Sequence, residues 1–140
     1  MINKLSNYTL VVLVAYWLAY QVGYGLIYKH YEPQIDPVVT DFRVDYIQRD
    51  EASLYISGTM YKRRGNCVFD SLTVYDNAVK PKRLLDLEFL DTPNQNQNRD
   101  EGLQAYGAWR ITPHTKNIEL SVTHMCPTGI VVTSLYNGSI

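Results

Sequence analysis

Hydrophobic and polar positions follow two different periods along this chain, and the change comes near residue 37. From Leu5 to Tyr28 there are 24 consecutive residues without a charge, bounded by Lys4 and Lys29. As a helix, at ~1.5 Å per residue, such a run reaches ~36 Å and exceeds the ~30 Å hydrocarbon core of a bilayer. A buried helix of a soluble protein rarely runs so long. A cleaved signal peptide has a shorter apolar core and a small-x-small cleavage site, which Tyr24, Gly25 and Tyr28 do not supply. The pattern predicts an uncleaved signal-anchor, a single transmembrane helix within residues 1–31.

Each i, i+4 ridge of that helix has its own chemistry. Leu10, Val14, Leu18, Val22 and Leu26 form a wholly aliphatic ridge suited to lipid tails. Val11, Ala15, Ala19, Gly23 and Ile27 form a ridge of small side chains, which lets another helix backbone approach closely. Tyr16, Tyr20, Tyr24 and Tyr28 run beside it, followed by Leu13, Trp17, Gln21 and Gly25. Tyrosine and tryptophan often mark headgroup depth, and Tyr8, Tyr28 and Tyr31 fit that role. Tyr16, Trp17, Tyr20 and Gln21 fall nearer the centre, where an unpaired phenol or amide is costly. The expectation is therefore helix association through Ala15, Ala19 and Gly23, with Tyr16, Tyr20, Tyr24 and Gln21 on the adjoining polar face.

Residues 32–37, with Pro33 and Pro37, read as an extended linker. Beyond it the period falls to two. Val38, Thr40, Phe42, Val44 and Tyr46 alternate with Asp41, Arg43 and Asp45, the signature of a half-buried strand. Leu54, Ile56, Gly58 and Met60 mark a second, and Lys62 to Asn66 reads as the turn before a third, from Cys67 to Tyr75. Leu85, Leu87 and Phe89 mark a fourth strand. Ala105, Gly107, Trp109 and Ile111 mark a fifth, Ile118, Leu120 and Val122 a sixth, and Ile130 to Leu135 a seventh. About seven short antiparallel strands with frequent turn signals predict a mainly β domain at 38–140, an immunoglobulin-like sandwich, with a small barrel as the alternative.

Composition narrows the function classes. At 140 residues the chain has room for one domain and an appendage. From Glu32 onward, 11 Lys or Arg stand against 14 Asp or Glu, a net charge of −3 that leaves no nucleic-acid footprint. His114 follows Pro113 in a turn, and His124 is in phase with the buried face of its strand; neither has an evident nucleophile. Asp86, Glu88 and Asp91 lie on or beside an exposed strand face, where paired carboxylates usually serve solvation. No glycine loop for phosphate is present. The expectation is a protein that is not an enzyme, with no cofactor, no metal site and no evident small-molecule substrate.

Cys67 and Cys126 are 59 residues apart. In a seven-strand sandwich the third and sixth strands are antiparallel neighbours, so the start of one and the end of the other could come within bridging distance, the alternative being two reduced buried cysteines. A disulfide there implies an oxidising compartment. Metal binding by Cys67, His124 and Cys126 lacks a fourth ligand and any paired CxxC spacing. The positive-inside rule is nearly silent, so the cysteines alone orient the chain: N-terminus cytoplasmic, C-terminal domain periplasmic or otherwise extracytoplasmic. The segment from Asp91 to Gly102 includes Asn94, Gln95, Asn96, Gln97 and Asn98, a polar run expected to form a mobile surface loop and a candidate partner contact.

The order of one N-terminal span, Lys62-Arg63-Arg64-Gly65-Asn66-Cys67, Gly107-Ala108-Trp109 and His124-Met125-Cys126-Pro127 resembles small uncharacterised membrane-anchored β-domain proteins of tailed phages and proteobacteria. That resemblance implies a viral or bacterial origin, an envelope location and a non-enzymatic role. Two functions lead as expectations, ahead of an envelope enzyme or thiol-redox protein using Cys67 or Cys126, which a structural disulfide between them would exclude. One is a membrane-anchored interaction or structural subunit of an envelope or virion assembly, its partners the bilayer and other transmembrane helices, its own or foreign. The other is a small homo-oligomeric pore or membrane-lesion protein.

Overall fold

The computed structural model describes residues 2–92 and 97–140, and the chain divides into two compact units with the boundary between Ile35 and Asp36. The first unit is a single helix, α1 (Ile2–Ile35). Its stretch Ser6–Glu32 is long and apolar enough to cross a membrane, and none of that apolar surface is buried. The helix runs through residues 32–35, which the prolines mark as extended in the sequence. A proline this near a C-terminus forfeits one backbone bond, and some thirty upstream residues already provide the helix nucleus. The connection to the first strand is thus only Asp36, Pro37 and Val38.

The second unit contains seven strands: β1 (Val39–Arg49), β2 (Leu54–Lys62), β3 (Val68–Asp76), β4 (Arg83–Phe89), β5 (Gly102–Thr112), β6 (Asn117–Cys126) and β7 (Gly129–Ser139). They are hydrogen-bonded in the order β1-β2-β5-β4-β3-β6-β7, and every pairing is antiparallel. The strands form two antiparallel sheets, with β4 passing from one to the other. Arg83, Leu84 and Leu85 pair with β3, whereas Asp86 to Phe89 pair with β5. Between the sheets, Leu54, Ile56, Trp109 and Ile111 from one side and Val74, Ile118, Leu120 and Val131 from the other build a single core. Phe42, Tyr106, Trp109, Phe89 and Phe69 extend it as a chain of ring contacts, the tightest being Tyr106 to Trp109 at 4.3 Å.

Strict alternation fails where the strand register shifts, and two of these shifts move residues that the period places inward. In β5 the period places Ala105 and Gly107 inward, yet Tyr106 is buried and Ala105 is exposed. Ile56 pairs with Trp109 and Gly58 with Tyr106, so Gly107 and Ala108 together oppose Ser57 alone. Gly107 has φ +116°, and a Cβ there would lie 2.2 Å from Cβ of Ser57, so only glycine fits. In β1 the register shifts between Val44 and Tyr46. Phe42 and Val44 pack on the core as expected, but Tyr46 is turned outward.

Candidate functional site

Four groups of residues stand out from the sequence: the helix faces, the two cysteines, the polar loop and the buried polar side chains. On α1, Ala15, Ala19 and Gly23 lie along one ridge, and a Cβ built at Gly23 meets nothing within 4 Å. The neighbouring ridge is a ladder of rings: Tyr20 stacks on Tyr24 at 6.1 Å and Tyr24 on Tyr28 at 6.4 Å. Tyr16 and Gln21 are exposed on the same helix. Small side chains thus lie beside a row of phenols and an amide, and the helix buries neither by itself.

Cys67 and Cys126 form a disulfide with a Cα to Cα distance of 4.3 Å. Cys67 precedes β3 and Cys126 ends β6; the first pair of the ladder between them is Val68 with Met125. The bond ties the turn after β2 to the end of β6. Both sulfurs being bonded to each other, neither is a thiol or a metal ligand. Among the described residues no group of three His, Cys, Asp or Glu side chains is placed to hold a metal.

In the segment from Asp91 to Gly102, Asn94, Gln95 and Asn96 lie outside the described residues. Of the described residues in it, Asp91, Thr92, Gln97 and Arg99 are fixed by hydrogen bonds, whereas Asn98, Asp100 and Glu101 are exposed. Gln97 is buried and donates from Nε2 to Asp91 Oδ1 at 2.8 Å and Thr92 Oγ1 at 3.1 Å. Arg99 donates from Nη2 to Asp91 Oδ2 and to Gln97 Oε1, both at 2.7 Å, and from Nη1 to the Ala105 carbonyl at 2.6 Å. Asp91 Oδ2 also accepts from the Gly107 amide at 3.0 Å and from the Trp109 indole at 3.2 Å. One carboxylate therefore joins the loop, the bulge and the largest core side chain, and its charge is matched by Arg99. Asn98 remains exposed. The sequence places Asp91 on or beside an exposed strand face; nothing local distinguishes it from Asp86, because its partners lie 6 to 18 residues away.

Next to this network Lys62 is 4% exposed, as the last residue of β2 and not part of a turn. It continues the inward phase of Ile56 and Met60, a signal present in the sequence but overridden there by the basic run that follows. Its amine donates to the Arg99 carbonyl at 2.6 Å, and burial pulls its pKa below the usual lysine value. His124, 3% exposed, faces the same interior, as its phase in the sixth strand implied. Burial first, and the Lys62 charge second, lower its pKa from 6.5 to about 4, so the imidazole is neutral at pH 7. Its Nδ1 has no hydrogen-bond partner among the described residues. Lys62, Gln97, Arg99, Trp109 and His124 line a cavity of about 20 Å³, the room of one water molecule. Lys62, Arg99 and the neutral His124 thus form a polar cluster in the interior.

Of the other titratable candidates, Glu88, His114 and Asp50 are surface groups, whereas Asp76 is buried at the end of β3. Glu88 pairs with Arg110 across β4 and β5. His114 is exposed, and its backbone amide donates to the Ala52 carbonyl at 3.1 Å. Asp76 is held below the usual carboxylate range by the Ala78 amide, the Thr115 hydroxyl and Arg83; the Ala52 and Ser53 amides do the same for Asp50. These are turn-fixing contacts at the ends of strands. Compared with known proteins, the chain matches no family model, no curated protein and no solved structure.

Proposed function

We propose that this chain is a membrane-anchored interaction or structural subunit of an envelope or virion assembly. In this reading α1 packs in the membrane through Ala15, Ala19 and Gly23, and the β unit meets a partner outside. The carrying observation is the bare ridge of α1: small side chains over three turns, beside phenols and an amide that need hydrogen-bond partners in hydrocarbon. The β unit has its own continuous core, so nothing in it requires the helix for burial. No catalysis is assigned to it, and the resemblance to small anchored proteins of phages and proteobacteria favours the same role.

The β unit is read as an immunoglobulin-like sandwich. Supporting this is the grouping of β1, β2, β5 and β4 against β3, β6 and β7, which is that of constant-type domains. It departs from antibody domains in its disulfide, which joins the neighbouring strands β3 and β6 and not the two sheets. The disulfide also supports an oxidising location for the β unit, with the N-terminus in the cytoplasm.

Gly23→Leu tests the packing face. On the helix itself the larger side chain has open space, so a fall in complex size in mild detergent reports loss of association. An unchanged size would sink the packing assignment. The Tyr20, Tyr24 and Tyr28 ladder favours a second reading, a small homo-oligomeric pore in which Tyr16, Tyr20, Tyr24 and Gln21 line the passage. Ion flux into vesicles holding the purified chain, reduced in Gln21→Leu, would support the pore over the anchored subunit.

A further inference from the structure

The end of the β unit at which β1 begins is also where β2 ends, β5 and β3 begin, β6 ends and β7 begins. The cross-strand rows nearest that end point apolar side chains outward in both sheets. In one sheet Tyr61 pairs with Leu103, and in the other Val68 pairs with Met125 and Met125 with Ile130. These five side chains are between 42% and 70% exposed. Exposed apolar residues scattered singly need no explanation, but paired rows at one end of both sheets form a girdle. A flat partner or a second copy docking on one sheet would cover only half of it. A surrounding apolar medium with a plane boundary covers all of it at once.

We propose that this girdle rests in the interfacial region of the bilayer that α1 crosses; the proposal depends on α1 being a membrane span. The chain itself limits the distance. Ile35 ends the helix and Val39 opens β1, and four residue steps reach at most ~14 Å even when fully extended. The strand end carrying Tyr61, Leu103, Val68, Met125 and Ile130 is therefore tethered within reach of the headgroup layer. There tyrosine and aliphatic side chains gain from partial burial and the backbone, already paired in the sheets, adds no penalty. The opposite end, with Tyr46, Ile47, Val79 and Leu84, lies a strand's length along the sheets from it, about nine residues at ~3.4 Å each, or ~30 Å.

The test is photolabelling of the full chain in phosphatidylcholine vesicles doped with phosphatidylcholine carrying an acyl-chain diazirine, followed by digestion and mass spectrometry. Adducts on α1, on the peptides holding Val68, Leu103, Met125 and Ile130, and several-fold fewer on residues 79–84 are expected. Adducts on α1 alone, or equal labelling of both ends of the β unit, would overturn the girdle while leaving the span intact. Absence of adducts on α1 would overturn the span and the girdle with it.

Discussion

Lowering the pH from 7 to 4.5 is expected to destabilise the β unit through one residue, His124. Its imidazole is 3% exposed and faces Lys62 in the interior, so a proton would add a second buried cation beside the first. In the unfolded chain the same group titrates near 6.5, whereas in the folded chain burial and Lys62 hold it at about 4. Between those values the unfolded state binds a proton that the folded state refuses, so stability falls as pH falls through this window. Above pH 6.5 neither state is protonated and the effect vanishes; below about 4 both are, and the loss levels off. Since a tenfold difference in proton affinity is worth 1.36 kcal/mol, the full interval corresponds to about 3 kcal/mol. Asp50 and Asp76, held below the usual carboxylate range, add their own losses only at lower pH. Urea unfolding in detergent, followed by Trp109 fluorescence in a Trp17→Phe background, measures the slope. His124→Asn should flatten it between pH 6.5 and 4.5. A flat wild-type profile, or an equal slope in His124→Asn, would refute the buried-charge reasoning.

Replacing both Cys67 and Cys126 by serine should cost about 4 kcal/mol, the chain-entropy value for a cross-link 59 residues apart, read as a lower urea midpoint; a loss under about 1 kcal/mol would contradict that estimate. Alkylation of the intact protein without reductant should label neither cysteine, and labelling of both would remove the case for an oxidising compartment. Asp91→Ala strands the Arg99 guanidinium and the Trp109 indole, and a loss of about 3 kcal/mol is expected, with faster hydrogen exchange across residues 97–109. Gly107→Ala brings a Cβ to 2.2 Å from Ser57 Cβ at a positive φ, so a drop in thermal midpoint larger than that for Gly102→Ala, where the space is open, is expected.

The strand count and the core face of most strands are legible in the chain because a two-residue period survives wherever the ladder is regular. It misleads at Tyr46 and Ala105, where bulges insert a residue and reverse the faces beyond them. A bulge is a property of two strands at once, and neither Gly107 nor Asp45 announces it locally. The helix end was misplaced for a related reason: Pro33 carries a breaking signal, but a long upstream helix absorbs it. Cys67 and Cys126 were legible because both abut strands that a seven-strand order brings together. Asp91 and Arg99 were not, since a polar run reads alike whether it is solvated or folded back onto a tryptophan. Lys62 was legible only by its phase with Met60, a weaker cue than the charge that continues into Arg63 and Arg64.

On the proposed reading α1 is an association element and the β unit holds together on its own core. Native mass spectrometry of the full chain, released gently from its own membrane, tests it most directly because it reports subunit number and the mass of every companion chain. A stable complex of more than one chain is expected, dissociating in Gly23→Leu while the β unit keeps its disulfide. A wild-type protein that leaves the membrane as a single chain, or a complex indifferent to Gly23→Leu, would contradict it.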